Sequence, residues 1–183
     1  KSSRDHRDLN YFSQEGLRIK EGAGTTADNQ GNVGAPIDGT INGSPTLAVS
    51  PLYTGGGTAI DFDGVNDGIY IPDNNAINTA TTSARTVELV FNADDITTRQ
   101  VLYEEGAGTN GLTIYVDGGN VYITGEDSGD WVDANINAAI STGTTYHVAF
   151  VFDQPGNSFT GYLDGTNIGS VTVNNAIFPA HSG

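Results

Sequence analysis

The 183-residue chain has no cysteine, and with it go disulfide frameworks, zinc-thiolate sites and thiol catalysis. Basic residues are nearly as scarce, at seven Lys and Arg against 22 Asp and Glu. The imbalance is uneven along the chain. Residues 1–20 carry a net +2, whereas the rest holds only Arg85 and Arg99 and carries −17. A body so acidic repels nucleic acid and anionic membrane and attracts divalent cations or a basic partner. Long apolar runs are missing too, so no transmembrane segment or signal peptide is expected within these residues, and a signal removed beforehand is compatible with them. The first residue is Lys1 rather than methionine, which is expected of a processed product or an excised piece. No stretch keeps a helical apolar period.

What the chain does have is 25 glycines, with many Asn, Asp and Thr, the composition of short strands joined by tight turns. The stretch Ala59 to Pro72 shows it best. Ile60 and Phe62 alternate with Asp61 and Asp63, Gly64 to Gly68 supply turn chemistry, and Ile69 and Ile71 resume the alternation before Pro72. From residue 86 onward, strands are expected at 86–92, 100–105, 111–116, 120–125, 146–152, 159–163 and 167–173. Asp117-Gly118 and Asp164-Gly165 are hairpin turns. Residues 35–58 read as loops with one short edge strand, and 74–84 as a polar bridge with room for one helical turn. The fold class is therefore all-β, a two-sheet antiparallel β-sandwich, and 183 residues suffice for one such domain.

Side-chain parity points to a candidate surface. Leu112, Ile114 and Val116 face one way, leaving Thr113 and Tyr115 opposite; Val121 and Ile123 leave Tyr122 and Thr124; Phe159 and Leu163 leave Thr160 and Tyr162. An even-length loop at Asp117-Gly118 sets Tyr115 and Tyr122 diagonal or directly opposite on one face. Counting Tyr146, Val148, Phe150 and Phe152 as core puts His147 on the outer side, with Glu104 at its margin. A face of Tyr, Thr and His either stacks sugar rings and holds their hydroxyls or reflects only the strand preference of tyrosine. Trp131, the single tryptophan, sits in the acidic stretch 126–133, either exposed as a ligand platform or packed over the end of the sandwich.

Three ordered segments carry a resemblance. Phe62-Asp63-Gly64-Val65-Asn66-Asp67 followed by Ile69-Tyr70-Ile71-Pro72, the upstream Glu21-Gly22-Ala23-Gly24-Thr25-Thr26-Ala27-Asp28 with Gly31-Asn32, and the downstream Thr145-Tyr146-His147-Val148-Ala149 with Tyr162-Leu163-Asp164-Gly165 resemble bacterial laminin G-like domains. These belong to the concanavalin A-like lectin and glucanase superfamily. The resemblance implies a jelly roll over residues 17–183, preceded by a basic arm at 1–16. It also implies a Ca²⁺ ion near the loop 22–34, with Asp28 and Asn32 as the ligands in this chain; the competing reading is that both make Asx turns without metal. Asp63 and Asp67 are expected to bond backbone N–H groups instead. The glucanases of the superfamily carry a Glu-x-Asp-x-x-Glu strand, which this chain lacks, and Glu104 and Glu105 fall on opposite sheet faces. The resemblance further implies a last strand that has no counterpart before Gly183. Either the domain is cut short or the segment 9–20 fills the vacancy, in its own domain or in an adjacent molecule.

Two functions compete at this stage. One is a non-catalytic extracellular or cell-surface module that binds a glycan or other surface ligand through Tyr115, Tyr122, Tyr162, Trp131, Glu104 and His147, with calcium as a structural ion. The other is a self-assembling subunit of a filament, surface layer or virion, whose basic residues 1–20 reach the acidic body of a neighbouring copy. Neither reading involves catalysis, nucleic acid or membrane insertion; an undetected glycan-active enzyme is the minor alternative.

Overall fold

The computed structural model describes residues 7–12, 23–29, 37–107, 110–127, 131–174 and 176–183, with the backbone alone at 7–12, 107 and 131–134. Fourteen strands and no helix occur among them, and none of the described residues forms a helix long and apolar enough to cross a membrane. The chain divides into two compact units: residues 1–72, 88–95 and 141–147, and residues 73–87, 96–140 and 148–183.

The first unit holds β1 (Arg7–Phe12), β2 (Thr26–Ala27), β3 (Gly39–Asn42), β4 (Thr46–Val49), β5 (Ala59–Phe62) and β6 (Gly68–Tyr70). It also contains most of β7 (Ala84–Ala93). Strand β1 runs antiparallel to β5, with Arg7 opposite Phe62, and to β7, with Leu9 opposite Phe91. Residues 7–12 of the expected arm are therefore a strand within their own chain. Strand β4 adds to β5, and β2, β3 and β6 form a separate three-stranded sheet.

The Ala59 to Pro72 stretch is a strand, an acidic turn and a strand, but β5 and β6 join different sheets. The turn is held by its own carboxylates. Asp67 accepts from the N–H groups of Ser44 at 2.7 Å and Asp63 at 2.9 Å, and Asp63 accepts from Val65 at 2.8 Å. These bonds satisfy backbone donors that a turn leaves without ladder partners. Gly43 has φ of 79°, and a Cβ there would run into Asp67, so both conformation and space require glycine.

The second unit is a sandwich in its own right. Strands β8 (Gln100–Ala107), β9 (Asn110–Asp117), β10 (Asn120–Asp127) and β11 (Trp131–Ala139) form an antiparallel sheet in the order β11-β10-β9-β8. The β9–β10 loop is Gly118-Gly119, with φ values of 54° and 84°, the left-handed pair of a type I′ turn. The second layer comprises β12 (Thr145–Asp153) from residue 148 on, β13 (Ser158–Leu163) and β14 (Thr166–Thr172). Asp164-Gly165, at 49° and 74°, forms its type I′ turn.

Leu112, Ile114, Val116, Val121 and Ile123 of the first layer and Phe150, Phe152 and Phe159 of the second are wholly buried. Each such side chain stabilises the fold by roughly 1.5–3 kcal/mol relative to exposure. The Phe150 and Phe159 ring centroids are 5.2 Å apart, and Tyr103 of β8 lies 6.3 Å from Phe150 across the interior. The layers approach closely at Gly161 and Gly169, where Ile136 of β11 fills the space two side chains would otherwise need. Residues 75–78 make the one expected turn, with Asn74 C=O accepting from Ile77 at 2.9 Å and Asn78 at 2.8 Å.

Candidate functional site

The outward face of the β8–β11 sheet carries the richest set of ligand-type side chains in the described structure. Its register follows from the two-residue Gly118-Gly119 loop, which sets Tyr115 directly opposite Tyr122 and Thr113 opposite Thr124. On β10's other side, Thr124 pairs with Asn135 and Tyr122 with Asn137. On β9's other side, Val101 pairs with Tyr115 and Glu104 with Thr113, separated by a bulge between Val101 and Tyr103. The bulge re-aims the strand. Tyr103 turns inward to Phe150, while Val101 and Glu104, both exposed, share the outer face. One row across the four strands reads Glu104, Thr113, Thr124, Asn135, and the next reads Val101, Tyr115, Tyr122, Asn137.

The two tyrosines form a parallel stack, with centroids 4.9 Å apart and an interplanar angle of 7°. Parallel rings this close are stacked rather than side by side, so one face of each is turned on the other. Arg99 reaches in from the β8 side. Its guanidinium carbon lies 4.8 Å from the Tyr115 centroid, and it bonds Asp117 through Nε at 3.1 Å and Nη2 at 3.0 Å. Tyr122 lies on the β10 side, so the two faces of Tyr115 meet Tyr122 and Arg99. Burial raises the Tyr115 hydroxyl above its ordinary value; Arg99 opposes this, while Tyr122 and Asp117 add to it.

The residues singled out in the sequence fall in several places. Tyr115, Tyr122 and Glu104 share the outer face just described. Tyr162 does not: its strand β13 lies in the other layer, and its inward neighbour Gly161 contacts Ile123 and Ile136, so Tyr162 points away on the opposite side of the sandwich. Parity alone made these residues look alike, because it tells inside from outside but not one layer from the other. His147 belongs to the first unit, half-exposed, with Nε2 3.1 Å from Glu88 Oε2. Trp131 opens β11 opposite Asp127 rather than lying in a loop; its side chain lies outside the described residues. Asn32 also lies outside them. Asp28 is exposed, beside an Asn29 N–H that donates to Asp38 at 3.0 Å. Among the described residues no group of three or more His, Asp or Glu side chains is placed to hold a metal ion.

Asn135, Asn137, Arg99 and Val101 were missed. The first two lie in β11, where Asn135-Ile136-Asn137 alternates with the required period but only Ile136 is large and apolar. Arg99 stood out only as one of two cations beyond residue 20. Glu105, beside Glu104, is buried on the inner side, where Arg85 Nη1 donates to it at 2.6 Å and His181 Nε2 lies 4.0 Å away. Glu104 and Glu105 thus face opposite sides of the sheet.

A laminin G family model described as the concanavalin A-like lectin/glucanases superfamily matches residues 63–183. None of the curated proteins matches the chain. Similar solved structures include the following two. Domain 4 of AbnA, a GH43 extracellular arabinanase from Geobacillus stearothermophilus in complex with arabinotriose, is 18% identical, with 96% of this chain and 69% of that chain covered and a TM-score of 0.48. The CBM40 of the Ruminococcus gnavus IT-sialidase, bound to alpha2,3 sialyllactose, is 16% identical, with 55% of this chain and 62% of that chain covered and a TM-score of 0.42. The present chain therefore spans less than two thirds of the sialidase module. The family match covers the acidic turn from Asp63 to Asp67, all of the second unit and the tyrosine face, and the chain belongs to the concanavalin A-like lectin/glucanases superfamily.

Proposed function

We propose that the protein is a non-catalytic glycan-binding module acting in adhesion outside the cell or at its surface, with the outer face of β8–β11 as its ligand platform. The observation that carries this reading is the Tyr115–Tyr122 stack set among Thr113, Thr124, Asn135 and Asn137. Aromatic rings offer a sugar's C–H surface a dispersive contact, and hydroxyls and amides both donate and accept, as sugar hydroxyls do. A rigid, ladder-bonded strand array holds these groups in fixed positions, which limits the entropy lost on binding. The acidic body favours uncharged ligands over polyanions.

Affinity gel electrophoresis over a range of soluble polysaccharides tests the reading. At least one neutral polysaccharide should retard the wild-type chain, and Tyr122→Ala should remove the retardation. Free migration of the wild type through every polysaccharide would sink it. Calcium enters as a separate structural proposal at Asp28 and Asn32. A higher unfolding midpoint in Ca²⁺ than in EGTA supports it, and equal midpoints reject it.

A further inference from the structure

Resting on that glycan reading, the geometry of the tyrosine stack locates the ligand more narrowly. Stacked rings offer four faces. Two are turned on each other at 4.9 Å, and the outer face of Tyr115 meets the Arg99 guanidinium at 4.8 Å. The remaining one is the face of Tyr122 turned toward β11. The residue directly across from Tyr122 is Asn137, and the neighbouring outward position on β11 is Asn135, opposite Thr124. Both asparagines are exposed.

We propose that a neutral sugar residue seats on the β11-side face of Tyr122, over Asn137 and Asn135, and that Arg99 and Asp117 position the tyrosine stack without touching the sugar. A pyranose set on edge against the ring places its C–H face on the aromatic surface and its hydroxyls within reach of two amides and the Thr124 hydroxyl. Charge selects against acidic sugars. The amides carry none, Glu104 and Glu126 are exposed on the same sheet, and the one nearby cation among the described residues is already held by Asp117 at 3.0 Å. Desolvating a sugar carboxylate here would bring no ion pair in return. Arg99 and Asp117 act through Tyr115, fixing the stack from the far side.

The test is an NMR titration of the full chain, uniformly isotope-labelled, with methyl β-D-galactopyranoside, methyl β-D-glucopyranoside and sodium glucuronate. A neutral glycoside should shift the Tyr122 ring signals and the Asn135 and Asn137 side-chain amides, and glucuronate should bind more weakly than either. Asn137→Ala, with its circular dichroism unchanged, should weaken binding by about tenfold, as loss of one good hydrogen bond does. Arg99→Gln should broaden the Tyr115 and Tyr122 signals and weaken neutral glycosides and glucuronate by the same factor, because the guanidinium makes no sugar contact. Three results overturn the proposal while leaving a glycan-binding module: full affinity in Asn137→Ala, shifts centred on Thr113 and Glu104, or preferential binding of glucuronate. If no glycoside shifts any signal and no polysaccharide retards the chain, the glycan reading falls and takes this inference with it.

Discussion

Gly161→Ala tests the packing of the second sandwich at its tightest point. Gly161 lies in the middle of β13, opposite Gly169 of β14, and the two make a shallow seat for Ile136 of β11. A methyl on Gly161 would sit 2.9 Å from Ile123 Cδ1 and 2.9 Å from Ile136 Cγ2, where ordinary contact begins at 3.4 Å. Each isoleucine must therefore withdraw by about half an ångström, and a close-packed interior has little room for that. Overpacking of this kind costs about 1–3 kcal/mol. The φ of Gly161 lies outside the left-handed region, so alanine meets no backbone strain and gains about 0.4–1 kcal/mol from a stiffer unfolded chain. A net loss of about 1–2 kcal/mol remains, equivalent to a fall of about 2–8 °C in midpoint for a chain of this length. Urea unfolding followed by fluorescence and circular dichroism, with coincident transitions, measures it. Ile136→Ala alone should cost about 2–5 kcal/mol. Together with Gly161→Ala it should cost less than the two added, because the new methyl enters the space Cγ2 leaves. Gly68→Ala is the control, since a Cβ there meets nothing within 4 Å; it should not destabilise. A Gly161→Ala protein as stable as wild type, or strict additivity with Ile136→Ala, would show that β13 does not pack against β10 and β11 at this distance.

Three further outcomes are expected. Asp67→Ala removes the acceptor for the Ser44 and Asp63 N–H groups and should cost about 1–2 kcal/mol, with faster hydrogen exchange at those two amides; unchanged exchange would refute the turn's bonding. Burial raises the Glu105 carboxyl above 4.5, against the opposing pull of Arg85, so the folded state binds this proton more tightly than the unfolded one. Its contribution is therefore full below 4.5 and is lost as pH climbs from there through the folded value, so the wild-type stability slope over that window should carry a negative component absent from Glu105→Gln. Parallel slopes in the two proteins would contradict it. Arg99→Gln removes the cation that holds the Tyr115 hydroxyl down, so the alkaline ultraviolet titration of this tyrosine should move higher still; an unmoved titration would mean that Arg99 does not lie over the ring.

The sequence announced the fold most clearly where large apolar side chains alternate. Leu112 to Val116, Val121 to Ile123 and Phe150 to Phe159 fixed strands and faces without tertiary help, and Asp164-Gly165 marked its turn through glycine's freedom at positive φ. Strand β11 escaped because small alanines dilute its apolar alternation and weaken the signal of a buried face; the glycines that make room for Ile136 are 25 and 33 residues away in β13 and β14. Strand β1 was legible only as an alternative, with segment 9–20 filling a strand position in its own domain. Leu9 and Tyr11 have strand character, but the basic residues around them describe a solvated arm, and only pairing with β5 and β7 gives the segment a place.

The candidate site shows a sharper limit. Parity within one hairpin placed Tyr115 beside Tyr122, because a two-residue loop leaves no other register. Extending parity to Tyr162 joined two layers whose outer faces look in opposite directions, since alternation is the same in both. Long-range information enters at the bulge as well. A strict alternation through β8 sets Val101 with Tyr103 and opposite Glu104, yet the irregularity between Val101 and Tyr103 puts Val101 and Glu104 together outside and frees Tyr103 for Phe150. The same physics decides which ring face is open. Residues adjacent in the alternation pattern suggested an aromatic platform, but the stack turns its rings on edge and Arg99, from a different strand, covers one side. A platform read from sequence thus becomes a single surface on Tyr122, and the asparagines that face it come from the strand whose weak apolar signal hid it.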